Sequence, residues 1–98
     1  MNMQAIMKQA QKLQADMLKE KKEIDESIFE VTKSFITITA TGNKKIKSIK
    51  INLDKLGIDD KEMIEDMTIV AINELMDKID SETEKRLGKF SNGMPGLF

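Results

Sequence analysis

The C-terminal third of the chain reads as one helix, from about Lys61 to Lys89. At about 1.5 Å per residue such a helix spans roughly 45 Å, whereas a compact domain of about 100 residues has a radius of gyration near 13 Å. The helix must therefore project beyond any core the chain can build. Ile64, Met67, Ile69, Val70, Ala71, Ile72, Leu75, Met76 and Ile79 give its first half more than one apolar face, which predicts burial. The run Asp80-Ser81-Glu82-Thr83-Glu84-Lys85-Arg86 that follows predicts a solvated second half.

The 98 residues are read as a single domain, with a helical arm at about 2–24, a sheet at about 28–53, the long helix at about 60–89 and a tail at 90–98. Cysteine and histidine are both absent. That removes disulfides, thiolate nucleophiles and Cys-type zinc sites, together with the commonest general base and the commonest transition-metal ligand. The chain is read as a non-enzyme with no cofactor and no metal site. No apolar run approaches the roughly 18 residues of a membrane span, and the N-terminus lacks the layout of a signal peptide, so a cytoplasmic location is expected.

A formal net charge of -1 conceals a segregation of sign. Residues 1–22 hold five lysines against two acids, and residues 31–55 hold six lysines against one. Residues 56–84 hold ten acids against two lysines, and residues 85–98 hold three basic residues and no acid. Lysine is abundant throughout, as codon composition alone could produce, and acids at the start of a helix with bases at its end also complement its dipole. The abundance of lysine does not by itself explain why the signs segregate along the chain.

From about Asn2 to Ile24, Met3, Ile6, Ala10, Leu13, Met17 and Ile24 recur at helical spacing, and Glu20 interrupts the seam. After Asp25-Glu26-Ser27 the texture becomes β-branched. Ile28 to Thr32 forms a short strand. In Phe35 to Thr41, Ile36, Ile38 and Ala40 alternate with Thr37, Thr39 and Thr41, the pattern of a half-buried antiparallel strand. Gly42-Asn43 is expected to supply the positive-φ positions of a tight hairpin turn. In a third strand, about Lys45 to Leu53, Ile49, Ile51 and Leu53 share one face, with Ile46 out of phase, which suggests a bulge or the start of pairing. Asp59-x-x-Glu62 has the spacing of a capping box before the long helix, and Gly88 is a candidate stop.

The fold class is thus α+β, with the order helix, three-stranded antiparallel meander, long helix (α-β-β-β-α). A three-stranded sheet leaves edges and apolar surface that one helix cannot fully cover, and a two-fold homodimer with projecting arms would resolve both.

Several stretches, in order and spacing, resemble the YbaB/EbfC family of bacterial nucleoid-associated proteins. They are Met7-Lys8-Gln9-Ala10-Gln11-Lys12-Leu13-Gln14, Glu30-Val31-Thr32, Ile36-Thr37-Ile38-Thr39-Ala40-Thr41-Gly42, Ile49-Lys50-Ile51-Asn52, Asp60-Lys61-Glu62-Met63-Ile64-Glu65-Asp66, Gly88-Lys89-Phe90 and Pro95-Gly96-Leu97-Phe98. The resemblance implies a homodimer with a shared sheet and tweezer-like helices that bind duplex DNA with little sequence preference. It also implies a nucleoid location. The arms would be residues 2–24 and about 76–89, offering Lys8, Lys12, Lys19, Lys21, Lys22, Lys85, Arg86 and Lys89 as candidate DNA contacts. The sequence departs from the family in a short Lys33-Ser34-Phe35 loop, where a tighter hairpin is expected, and in the absence of a Gly-rich leader.

The expected mechanism is phosphate neutralisation by arm lysines with release of counterions. With a single arginine, bidentate reading of guanine is largely excluded. Lys44, Lys45, Lys47 and Lys50 form a second basic surface, equally explained as protection of an exposed strand. The alternative function is an armed dimer that clasps a protein client without touching DNA, for which the eight methionines supply adaptable surface.

Overall fold

The computed structural model describes residues 2–54, 56–57 and 60–91. The order is α1 (Met3–Glu26), β1 (Ile28–Lys33), β2 (Ile36–Thr41), β3 (Ile46–Ile51) and α2 (Lys61–Ser91), the α-β-β-β-α arrangement expected. Asp59 of the capping-box spacing, and the apolar tail ending Leu97-Phe98, lie outside the described residues.

The strands form one antiparallel sheet in the order β1-β2-β3. Ile36, Ile38 and Ala40 are fully buried, while Thr37 and Thr39 face the other side. There the hydroxyls of Thr32 and Thr37 lie 3.0 Å apart and those of Thr39 and Ser48 lie 2.6 Å apart, cross-strand pairs that fix the register. The β1–β2 connection is the two-residue loop Ser34-Phe35, with Ser34 at φ 54°. Its brevity matches the tight hairpin expected.

The β2–β3 turn departs from expectation. Its positive φ belongs to Lys44, at 66°, rather than to Gly42 or Asn43. Gly42 is required for a different reason: a Cβ there would lie 1.8 Å from the carbonyl oxygen of Ile24. The turn is pressed against the end of α1, and the Gly42 N–H donates to Ser27 O at 3.0 Å. The out-of-phase Ile46 also has its explanation. Thr39 pairs with Ser48 but Ala40 pairs with Ile46, so Lys47 is the extra residue of a bulge that returns Ile46 to the face of Ile49 and Ile51.

α2 crosses the apolar face over β1 and β2. Ala71, Leu75 and Ile79 pack on Ile36, Ile38 and Ala40, flanked by Phe29, Val31, Phe35, Met67, Ile72 and Met76. The second half of α2 is not simply solvated. It runs through Gly88 without stopping, and Leu87 and Phe90 join Met17 and Ile24 of α1 in a second cluster, with Leu13 packed against it. One helix thus serves two cores, and the molecule extends over 71 × 18 × 14 Å with a radius of gyration of 19.5 Å.

β3 is left uncovered. Ile49 and Ile51 lie opposite the buried Ile38 and Ile36, hence on the same face, yet Ile46, Ile49 and Ile51 are 42%, 45% and 37% exposed. Met63, Ile69 and Val70 on α2 are exposed as well.

Candidate nucleic-acid interface

α1 begins with the Asn2 side chain accepting from Gln4 N–H at 2.9 Å and ends with Ser27 Oγ donating to Glu23 O at 2.6 Å. Between these caps Met17 and Ile24 face α2. Lys8, Lys12, Lys19 and Lys22 follow one another at spacings of four, seven and three residues, which aligns them along the side away from that seam. All four are exposed. Lys12 pairs with Asp16 at 2.9 Å, but both side chains are largely in water, so the pair contributes no more than about 0.5 kcal/mol. Lys8, Lys19 and Lys22 have no ion pair among the described residues. Lys21 lies off this stripe and pairs with Asp25 at 3.0 Å.

The three candidate residues on α2 are differently placed. Lys85 is exposed and has no ion pair among the described residues. Lys89 holds its ammonium 5.2 Å from the centre of the Phe90 ring and lines an open cleft with Asp16, Lys19, Glu20, Glu23 and Phe90. Arg86 turns toward α1. Its Nε donates to Glu20 Oε1 at 2.5 Å and one terminal nitrogen lies 3.5 Å from Glu23 Oε2. The hydrogen bond from Arg86, reinforced by its charge and those of Lys89 and Lys19, holds the Glu20 carboxyl below the usual carboxylate range against the opposing effect of burial. Glu20 in turn raises Arg86. The charge that broke the apolar seam of α1 in sequence is therefore the partner of the chain's only arginine.

On the hairpin, Lys44 pairs with Asp80 of α2 at 2.5 Å, and Lys33 of β1 pairs with Glu74 at 3.1 Å. Lys45, Lys47 and Lys50 remain exposed on and beside the edge strand. The structure thus divides the eight candidates: four along one face of α1, Lys21 beside it, Lys89 and Arg86 at the α1–α2 contact, and Lys85 alone. N-terminal to Leu13, the seam continues as Met3, Ile6, Met7 and Ala10 on exposed helix.

The profile of the YbaB/EbfC DNA-binding family matches residues 1–94. The chain belongs to this family. Relatives named nucleoid-associated proteins include one from Enterococcus faecalis, 41% identical over 98% of this chain and 94% of its own. Another, from Ligilactobacillus salivarius, is 38% identical over 99% of this chain and 95% of its own. A third, from Lactococcus lactis subsp. cremoris, is 39% identical over 97% of this chain and 98% of its own. In this YbaB/EbfC chain no group of three or more acidic residues among those described is placed to hold a metal ion. No helix among the described residues is long and apolar enough to cross a membrane.

Sequence reasoning missed the tie between Arg86 and Glu20. The signal present was the lone carboxylate in an apolar seam, a position where a charge needs a partner.

Proposed function

We propose that the protein is a nucleoid-associated, non-enzymatic factor that binds duplex DNA as a homodimer, with little sequence preference, through the exposed lysines of α1. The observation that carries this reading is the exposed Lys8, Lys12, Lys19 and Lys22 stripe on α1, outside the apolar seam that packs on α2. Lysine ammoniums meet phosphates as point charges, without the planar fork that reads guanine, so affinity comes from counterion release and not from base identity. The acidic flank of α2 (Glu62, Glu65, Asp66, Glu74, Asp77) repels phosphate and favours approach from the α1 side.

The uncovered isoleucines of β3 support the dimer. They adjoin a buried core on the same face, and removing each from water would contribute on the order of 1 kcal/mol. Replacing Ile49 and Ile51 together by Asp is expected to give a folded monomer by sedimentation, since neither belongs to the protomer's own buried core.

The DNA reading is tested by fluorescence anisotropy of a labelled duplex of arbitrary sequence. Binding should weaken steeply with salt, with a logarithmic slope of about -0.9 per phosphate neutralised. Replacing Lys8 and Lys12 by Glu should leave the dimer intact and weaken binding, and unchanged affinity would remove α1 from the interface. A second reading, an armed dimer that clasps a protein client, is favoured by the exposed Met3, Ile6, Met7 and Ala10 seam. Binding through that seam would tolerate salt and ignore DNA.

A further inference from the structure

Arg86 has the charge of a phosphate contact but not the setting of one. Its side chain is 27% exposed and that of Glu20 is 20% exposed, and the guanidinium is shared between two carboxylates. A cation so neutralised offers little net charge to DNA. Its effect on α1 is larger. The chain ties α1 to the sheet at Ser27, side-chain packing holds it between Leu13 and Ile24, and residues 3–12 extend beyond that support. Twelve residues separate Glu20 from Lys8, a lever of about 18 Å. A tilt of about 10° at the clamp would move Lys8 by about 3 Å, close to the rise of roughly 3.4 Å between successive phosphates of one strand. The apolar contacts of Met17, Leu87 and Phe90 are non-directional and permit such a tilt. A guanidinium that reaches two carboxylates one helical turn apart, through different nitrogens, resists it.

We propose that Arg86 is a positioning residue: through Glu20 and Glu23 it fixes the pitch of α1 so that the α1 lysines meet successive phosphates, and it does not itself contact DNA. The proposal rests on the DNA-binding reading above and deepens it.

Glu20→Gln is the deciding variant because the two roles predict opposite signs. The substitution keeps shape and removes one negative charge, so if Arg86 were a phosphate contact its release would tighten binding. A positioning role requires that binding weaken several-fold although the protein has become more basic. Arg86→Lys, which keeps the charge but not the fork, is expected to weaken binding to a similar extent. Tighter or unchanged binding by Glu20→Gln, with its helix content intact by circular dichroism, would overturn the proposal. The absence of native cysteine permits a second readout. Spin labels at Gln4→Cys and Ser81→Cys, diluted with unlabelled protein so that one protomer of a pair carries them, report the separation of the α1 tip from α2. The distance distribution should be narrow with Glu20 present and broadened by Glu20→Gln. If the unaltered protein binds no duplex, the DNA reading falls and the proposal with it; if it binds and the distance distribution is unchanged by Glu20→Gln, the positioning proposal alone is overturned.

Discussion

The two cores along α2 are built from the same residue types and held to different degrees. At the sheet end, Ala71, Leu75 and Ile79 meet Ile36, Ile38 and Ala40, and every one of the six is fully out of water. At the arm end, Met17, Leu87 and Phe90 each retain some exposure, and only Ile24 is as deeply buried as the sheet residues. The sheet core rests on a hydrogen-bonded surface that cannot slide. The arm core is one helix on another, a contact with few constraints along the axes unless a directional group supplies them. The difference separates stability from placement: the sheet end holds the protomer folded, while the arm end sets where the lysines of α1 point.

Leu75→Ala should have the largest effect, because it opens a cavity among fully buried neighbours. A loss of about 3 kcal/mol in unfolding free energy is expected from chemical denaturation, with both ends of the molecule melting together. A loss well below 1 kcal/mol would mean that the sheet core is not the seat of stability. Gly42→Ala comes next. Its methyl would fall on the Ile24 carbonyl, backbone against backbone, so the turn or the end of α1 must shift. Overpacking of this kind costs about 2 kcal/mol, and it strikes the junction of the two regions. Amide exchange should therefore rise in α1 and around the β2–β3 turn more than in the middle of α2.

Most of the fold was legible because its signals are local. The alternation of Ile36, Ile38 and Ala40 with threonines located β2, and the 3–4 spacing of Met3 to Ile24 located α1, since in each the sequence period is the structural period. The phase error at Ile46 signalled the bulge at Lys47. What was not legible depends on partners distant in sequence. Leu87 and Phe90 stand among charges and look solvated until α1 is laid beside them. Gly42 has the composition of a turn residue, and only the approach of Ile24 shows that it serves close packing rather than positive φ. The lysine stripe of α1 could be counted in sequence, but its separation from Lys21, Arg86 and Lys89 required the burial pattern.

Phe90→Ala tests whether the arm core is a separate cooperative unit. Removing a buried ring costs about 3 kcal/mol when the whole fold must absorb it, but a helix that can undock locally limits that cost to its own docking energy. Amide protection is expected to fall in α1 and in the last turns of α2, with β2 and the Ala71–Ile79 stretch unchanged. Equal loss of protection at both ends would erase the distinction between the cores.

The smallest effect is also the most selective. Hydrogen bonding to Arg86 holds Glu20 below its ordinary value of 4.5, so its ionised form favours the docked arm. A carboxyl lowered in the folded state contributes fully above the unfolded value and loses that contribution as pH falls through the folded one. Docking of α1 should therefore be constant from neutral pH to about pH 5 and weaken as pH drops below 4.5. Amide exchange corrected for its intrinsic pH dependence would show this in α1, as the difference between wild type and Glu20→Gln. The Glu20→Gln protein lacks that carboxyl and keeps only the longer contact of Arg86 with Glu23, so its arm should start looser and follow a shallower profile. The fully buried sheet core contains no ionisable side chain and should show no such difference between the two proteins. Parallel profiles in α1 would mean that Glu20 does not hold the arm, leaving that to the apolar contacts of Met17, Ile24, Leu87 and Phe90 and to the longer Arg86–Glu23 contact.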